Sequence, residues 1–131
     1  MRTAPETCPF CQPTSGSVFF ETSLVQGLWD GFPVSPGHAL IVPRRHVVRW
    51  AETTGQERQQ LTSAIAEVQQ LIQEQHQPDG FNVGFNDGPS AGQTIGHLHI
   101  HVIPRYEGDV PDPRGGIRLV IPNKARYWEL G

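Results

Sequence analysis

The sequence lacks the features that mark membrane-spanning, disulfide-rich or nucleic-acid-binding proteins. No apolar run in its 131 residues reaches the roughly 18 that a membrane-spanning helix needs. Only two cysteines are present, which is too few for a disulfide framework. Ten basic and thirteen acidic side chains give a formal net charge of -3, so nucleic acid is not the default partner.

The length and the N-terminal residues indicate a single domain in a reducing compartment. We expect one domain over residues 1–131, with residues 1–7 as a loose tail. The first six residues lack the apolar segment of a signal peptide. The cysteines lie close together in the segment Cys8-Pro-Phe-Cys11, which does not suggest a disulfide framework. The sequence therefore predicts a cytoplasmic protein with no membrane partner.

The most informative segment carries three histidines at alternate positions, His97, His99 and His101. Strict alternation with apolar residues predicts a half-buried strand, on which the histidines share one face and the apolar side chains enter the core. A chance row of exposed histidines is the simple alternative. However, residues 86–96 are rich in Gly, Asn, Gln and Thr, which is typical of a loop that binds an anion.

The other segments predict an α+β fold. Strands are indicated at residues 18–20, 24–29, 38–42, 81–86 and 117–122. Thr54 and Glu57 form a capping-box pattern before apolar residues at helical spacing, which predicts one helix of about 20 residues ending near Gln77. This order indicates an antiparallel sheet of about five strands, with one long helix and one or more short ones.

The triad segment resembles a known family. Gly92-Gln93-Thr94, followed by the three alternating histidines, resembles the signature of the histidine triad (HIT) superfamily of nucleotide hydrolases and transferases. The form Gly-Pro-Ser-Ala-Gly-Gln-Thr and the later Pro104-Arg105 resemble its dinucleoside polyphosphate hydrolase branch. The resemblance implies the HIT fold, commonly paired in a homodimer. It leaves residues 106–131 as a branch-specific segment.

The pattern favours His99 as a nucleophile towards phosphorus. A neutral imidazole attacks phosphorus only if its other nitrogen donates its proton to a fixed acceptor. His99 is the middle histidine and has a donor on either side along its face. The resemblance also implies that His99 is the nucleophile. His38 follows a Pro-Gly turn, and by resemblance it faces the triad. We expect His38 and His101 to donate hydrogen bonds to the phosphate oxygens.

The resemblance also implies a set of substrate-binding residues. Asp30 matches the acidic or amide residue that binds the ribose, although an Asp-Gly pair is also a common turn. Asn86 matches the position that contacts a phosphate or the scissile bridge. Gly92, Gln93 and Thr94 belong to the loop that offers N–H groups and short polar side chains to the phosphates.

Cys8 and Cys11 indicate either an ordinary pair of thiols in a turn or half of a zinc site. Zinc-bearing HIT relatives place a CxxC, a later histidine and the first triad histidine around one zinc. This resemblance implies the ligand set Cys8, Cys11, His46 and His97. If His97 ligates zinc, it cannot also relay a proton from His38, and the sequence leaves both catalytic and metal-binding roles open for it.

We expect hydrolysis or nucleotidyl transfer at the α-phosphate through a covalent nucleotidyl-histidine. The resemblance favours dinucleoside polyphosphates, while nucleoside phosphoramidates, other nucleotide conjugates and phosphorolysis stay open. Magnesium is expected only with a polyphosphate substrate, because no carboxylate cluster suggests a dedicated site. The alternatives are a nucleotide-binding sensor with little turnover and a small zinc protein in which the histidines are mainly ligands.

Overall fold

A computed structural model describes residues 4–130. Its five strands are β1 (Val18–Glu21), β2 (Val25–Trp29), β3 (Ala39–Pro43), β4 (Gly80–Gly84) and β5 (Ile100–Arg105). They form one antiparallel sheet in the spatial order β1-β2-β3-β5-β4. The predicted α+β class and the antiparallel five-stranded sheet are therefore confirmed.

One long helix, α1 (Gly55–His76), covers one face of the sheet. At its start, the Glu57 N–H donates to the Thr54 hydroxyl, and the Thr54 N–H donates to the Glu57 carboxylate. This reciprocal pair is the predicted capping box. The helix ends where Gln77 adopts a left-handed conformation with φ of 55°. Within residues 4–130, no helix combines the length and apolar character needed to cross a bilayer.

The alternation of side chains on β3 divides the core between the two faces of the sheet. Ala39 and Ile41 are buried on the face that α1 covers, together with Ile100 and Val102 of β5. Leu40 and Val42 lie on the opposite face of the sheet. They belong to a second buried cluster, which also contains Cys8, Phe10 and Leu28. The N-terminal loop therefore covers the sheet face opposite the long helix.

The triad segment is only partly a strand, because β5 begins at Ile100 rather than at His97. The Leu98 N–H donates to the Val47 carbonyl at 2.7 Å, so this residue is held by a loop before the sheet ladder begins. The apolar residues Leu98, Ile100 and Val102 are buried as predicted. On β5, His101 lies directly opposite Leu40, on the face away from α1.

The predicted strand at residues 117–122 is wrong. This segment forms a 3-10 helix at Gly116–Val120, followed by the short helix α2 (Pro122–Ala125). Gly115 and Gly116 have φ of 95° and 43°, which turns the chain away from an extended path. Among the described residues, four further 3-10 helices lie at Pro5–Thr7, Trp50–Glu52, Pro89–Ala91 and Tyr127–Glu129.

The start of the chain carries a further short helix. Of the predicted tail at residues 1–7, residues 1–3 lie outside the described part, and Pro5–Thr7 form an exposed 3-10 turn. These residues lead directly into the loop that contains Cys8 and Cys11.

Candidate active site

A cavity of about 780 Å³ opens on the sheet face that the N-terminal loop covers. Three of the predicted catalytic histidines, His38, His99 and His101, line it. Three predicted substrate-binding residues, Asp30, Asn86 and Thr94, line it as well. The fold therefore brings residues from β2, β3, the Gly-rich loop and the triad segment to one pocket.

His99 lies at the buried end of this cavity, with 8 % of its surface exposed. Its Nδ1 lies 2.8 Å from the His97 carbonyl oxygen. A carbonyl oxygen only accepts hydrogen bonds, so Nδ1 carries the ring proton and donates it. The Nε2 of a neutral His99 is then unprotonated and keeps its lone pair for a nucleophilic reaction.

His38 and His101 form a directed pair of hydrogen bonds. The Val34 N–H donates to His38 Nδ1 at 3.1 Å, which requires His38 Nε2 to carry the proton. His38 Nε2 then donates to His101 Nδ1 at 3.0 Å. The His101 proton is thereby fixed on Nε2, and this ring lines the cavity beside His99, with their centroids 5.2 Å apart.

Burial keeps this pair neutral. Desolvation, with smaller contributions from the neighbouring His99 and His38, lowers the pKa of His101 to about 4, against the opposing charge of Asp30. Desolvation also lowers the pKa of His38, against the opposing charge of Asp30, whose Oδ2 lies 3.3 Å from His38 Nε2. Asp30, His38 and His101 also have the spacing of metal ligands. However, the Val34 N–H occupies the lone pair of His38 Nδ1, so His38 Nε2 carries a proton. This proton favours the hydrogen bond from His38 to His101 over metal binding by the three residues.

Asp30 is fixed in a turn at the mouth of the cavity. Its Oδ1 accepts a hydrogen bond from the Phe32 N–H at 2.8 Å. The following Pro36-Gly37 turn places Gly37 at φ of 86°, and the His38 N–H donates back to the Ser35 carbonyl, as expected for a type II turn. This turn determines where His38 enters β3.

The Gly-rich loop contains one residue whose side chain is used differently from the prediction. Gln93 is 4 % exposed and does not line the cavity. Its Oε1 accepts from the Gly88 N–H, and its Nε2 donates to the carbonyls of Val48 and Ile95. The amide of Gln93 therefore holds the shape of the loop, and it has no free donor for a phosphate. Gly92 has φ of 95° and ends the 3-10 turn Pro89–Ala91.

The apolar wall of the cavity was not predicted from the sequence. Phe10, Leu28, Leu40 and Ile95 line it. Leu28 and Leu40 lie directly opposite each other on β2 and β3, so the strand alternation and pairing would have placed them on the face of His101. The implied ligand set Cys8, Cys11, His46 and His97 brings the loop of Phe10 to the triad, and Ile95 lies in the expected anion-binding loop. The sequence did not indicate that these two apolar side chains line the cavity.

The four predicted metal ligands also come together, beside this cavity. The nitrogen and sulfur atoms of Cys8, Cys11, His46 and His97 all lie within 4.8 Å of one another. His97 Nδ1 is 3.4 Å from each sulfur, and His46 Nδ1 is 3.1 Å from Cys11 Sγ. Tetrahedral zinc with this donor set separates its ligand atoms by about 3.3–3.8 Å. The four residues therefore fit a zinc ion with only a small expansion.

Both ring nitrogens of His97 have defined neighbours. Its Nε2 lies 2.8 Å from the Pro43 carbonyl, to which it donates, so Nδ1 is left unprotonated among the four metal-ligand atoms. Burial lowers the pKa of His97 to about 4. Burial, a hydrogen bond to Cys8 and its charge raise the pKa of Cys11 to about 11, so metal binding at neutral pH must release this thiol proton.

The fold and the site define an α+β protein with a histidine-lined pocket beside a cluster of cysteines and histidines. Residues 13–108 match the family model described as the HIT domain, and the chain belongs to the HIT domain family. This match confirms the resemblance identified in the sequence.

The relatives of this chain include an enzyme and several solved structures. The asymmetrical bis(5'-nucleosyl)-tetraphosphatase of Schizosaccharomyces pombe is 37% identical over 97 residues, which are 74% of this chain and 53% of that protein. The chain thus spans about half the length of this curated relative. The match confirms the resemblance to the dinucleoside polyphosphate hydrolase branch.

Two crystal structures share this fold, and one of them is of a zinc-bound protein. A hypothetical histidine triad nucleotide-binding protein from Sulfolobus tokodaii is 35% identical, with a TM-score of 0.72 over 80% of this chain and 73% of its own. A Zn-bound histidine triad family protein from Mycobacterium smegmatis is 28% identical, with a TM-score of 0.66 over 98% of this chain and 100% of its own.

Proposed function

We propose that this protein hydrolyses nucleotides at the α-phosphate through a covalent nucleotidyl-His99, with dinucleoside polyphosphates as its substrates. One observation carries the proposal: the bond from His99 Nδ1 to the His97 carbonyl leaves Nε2 unprotonated in a histidine-lined cavity. The similarity to a bis(5'-nucleosyl)-tetraphosphatase supports the substrate class.

In the first step, His99 Nε2 forms a bond to the α-phosphorus, and the bond from phosphorus to the bridging oxygen breaks. The leaving nucleotide takes the electron pair of that oxygen. His101 Nε2–H donates to a non-bridging oxygen, where negative charge increases in the transition state. His38 acts through His101, because it fixes the tautomer of that ring.

In the second step, a water oxygen bonds to the same phosphorus and the N–P bond of the intermediate breaks. The electron pair of the N–P bond returns to His99 Nε2, one proton of the water passes to solvent, and a nucleoside monophosphate is released. Two chemical steps with a covalent intermediate replace one direct attack of water. Attack by inorganic phosphate at this stage would make the enzyme a phosphorylase, so the products distinguish the two reactions.

The apolar wall and Asp30 orient the nucleoside in this proposal. Phe10, Leu28, Leu40 and Ile95 offer apolar surface to a base, and the Asp30 carboxylate accepts hydrogen bonds from ribose hydroxyls. Thr94 and Asn86 are the polar residues of the loop segment that reach the cavity. The Gln93 side chain contributes by holding the loop rather than by contacting substrate.

Cys8, Cys11, His46 and His97 would hold a structural zinc ion, which supplies a cross-link between the N-terminal loop, the segment after β3 and the triad. Both metal-ligand groups found among the described residues contain histidine. Magnesium prefers oxygen ligands, so in this proposal it enters only as a counterion of the polyphosphate substrate.

We also propose that the protein is a homodimer. Within the described residues, the edge strands β1 and β4 each pair with one neighbour only, and an open edge is a template for pairing with a second copy. Light scattering after gel filtration should give twice the mass of the chain. A monomer at micromolar concentration would contradict this expectation.

The test is product analysis with diadenosine tetraphosphate, diadenosine triphosphate and adenosine phosphoramidate. We expect AMP from the wild type, no AMP from His99→Ala, and the highest rate with a dinucleoside polyphosphate. His76→Ala is the control, because His76 lies at the end of α1 and outside both histidine clusters. Tight binding of nucleotide without AMP release would overturn hydrolysis and favour a sensor.

A further inference from the structure

One aromatic side chain, Phe10, contacts both the metal-ligand cluster and the proposed nucleophile. Its ring centroid lies 5.7 Å from that of His97, in an edge-on arrangement at 84°. It lies 4.9 Å from the centroid of His99, tilted by 49°. Phe10 is 7% exposed, and its remaining surface forms part of the cavity wall.

Phe10 is held by packing in the second buried cluster and by a hydrogen bond to one of the two cysteine sulfur atoms of its turn. Phe10 lies between Cys8 and Cys11 in a turn, and its N–H donates to Cys8 Sγ at 3.4 Å. The Gln12 N–H closes this turn onto the Cys8 carbonyl at 2.9 Å. The loop is neither helix nor strand, so no sheet or helix ladder fixes Phe10.

We infer that metal binding and nucleotide binding are coupled positively through Phe10. This inference rests on the proposed function, because it takes the cavity to be the nucleotide pocket. Ligand bonds to Cys8 and Cys11 would fix the turn, and the Phe10 ring would then stand in place as a wall of the pocket and a support for the His99 ring. A nucleotide that binds afterwards no longer has to order this side chain.

The coupling must be reciprocal. If the bound metal raises nucleotide affinity by some factor, bound nucleotide raises metal affinity by the same factor. Couplings between two sites in one protein are commonly about 5–150-fold. Phe10→Ala removes the shared contact but keeps all four ligands and the histidine hydrogen bonds, so it should reduce the coupling factor towards one.

The experiment measures both sides of this cycle. Isothermal titration gives the AMP affinity of the zinc-loaded protein and of protein treated with a chelator. Competition with a chromophoric chelator gives the zinc affinity with and without saturating AMP. Phe32→Ala is the matched control, since Phe32 is 91% exposed at the mouth of the same cavity and lies outside the cysteine turn.

We expect zinc to raise AMP affinity by at least about 5-fold in the wild type and in Phe32→Ala, but not in Phe10→Ala. Zinc content should remain one ion per chain in all three proteins. In the loaded Phe10→Ala protein, kcat should fall more than KM rises, because the loss of ring support affects His99 in the chemical step. Phe10→Leu, which keeps most of the volume, should recover part of the coupling.

Three results would overturn the inference. The first is equal AMP affinity with and without zinc in the wild type. The second is a coupling factor in Phe10→Ala that matches the wild type. This result would mean that zinc acts without Phe10, for example because chelation unfolds both proteins alike. The third is a kcat for Phe10→Ala equal to that of the wild type. If zinc-loaded wild type binds no AMP, the proposed function itself is wrong.

Discussion

The His97 carbonyl oxygen accepts a hydrogen bond from His99 Nδ1 at 2.8 Å, while the His97 side chain lies among the metal-ligand atoms. The two groups of one residue thus serve two sites. The side chain faces Cys8, Cys11 and His46, and the backbone fixes the tautomer of the proposed nucleophile. The side chain of His97 therefore has the position expected of a metal ligand rather than of a proton relay from His38, and its contact with His99 is made by the backbone.

Substitution of His101 tests the proposed donor to the transition state. His101→Ala should lower kcat by about 10²–10³-fold, because one donor aimed at the developing charge is lost. KM should change much less, since the apolar wall and Asp30 remain. Steady-state kinetics with diadenosine tetraphosphate measure both constants. If KM rises by this factor and kcat stays unchanged, His101 serves ground-state binding instead.

Substitution of Asp30 tests ribose recognition. A hydrogen bond to a charged group contributes about 1.5–3 kcal/mol, so Asp30→Ala should weaken AMP binding by about 10–150-fold. The effect should be smaller for nucleotides that lack ribose hydroxyls. Titration with AMP and with 2'-deoxy- and 3'-deoxy-AMP measures it. The same loss for all three ligands would mean that Asp30 supports only the Phe32 turn and His38.

Substitution of Gln93 tests the structural role of a side chain that the motif presents as substrate-binding. Gln93→Ala leaves the buried Gly88 N–H and the Val48 carbonyl without their partner, at about 1–3 kcal/mol for each. Thermal unfolding should therefore begin several degrees lower than in the wild type. Gln70→Ala, on the exposed face of α1, is the control. An unchanged Tm together with a raised KM would restore the substrate-contact role.

The pair formed by buried His38 and partly buried His101 predicts a pH dependence of stability. The pKa of His101 is lowered to about 4 in the folded state, against 6.5 for the free side chain. Between these values the unfolded chain binds a proton that the folded chain does not, so the free energy of unfolding falls as the pH falls from 6.5 towards 4. Urea unfolding at several pH values measures the slope.

The control for this slope is His101→Gln, which keeps the metal-ligand residues and loses one titrating group. The decline between pH 6.5 and 4 should be less steep in this variant. Any loss of metal in acid affects both proteins, so the difference between their slopes reports His101. Identical slopes would contradict the assignment of a depressed pKa to this residue.

Metal removal should destabilise the fold without changing its topology. Four ligands from three distant segments close long loops when they bind one ion, and a ligand that binds only the folded state stabilises it. At free zinc about 1,000 times its Kd, the expected gain is about 4 kcal/mol. Calorimetry with added zinc and with chelator measures the shift in Tm. Cys11→Ser should respond little to either addition.

The sequence predicted those parts of the fold that have regular periodicity. The capping box at Thr54 and Glu57 placed the start of α1, and short apolar runs between turn residues placed most of the strands. The apolar segment at residues 117–121 misled the strand prediction, because its helical course depends on the φ values of Gly115 and Gly116. The spacing of apolar residues alone does not indicate these backbone φ angles.

The site was predictable to the extent that its motif is local. The three alternating histidines were expected on one face, but β5 begins only at Ile100, and the earlier Leu98 N–H is held by the Val47 carbonyl. His97 thereby faces the cysteines rather than His38. The implied metal-ligand set anticipated that the N-terminal loop returns to the triad, but it did not anticipate that Phe10 packs in the second buried cluster and lines the cavity.

The most direct test of the central claim is to trap the nucleotidyl-enzyme. The wild type and His99→Ala are mixed with excess diadenosine tetraphosphate and quenched in alkali, where the phosphorus–nitrogen bond survives, and digested peptides are analysed by mass spectrometry. We predict an adenylyl adduct on His99 in the wild type and none in the variant. AMP release by His99→Ala at the wild-type rate, or an adduct on another residue, would contradict the account.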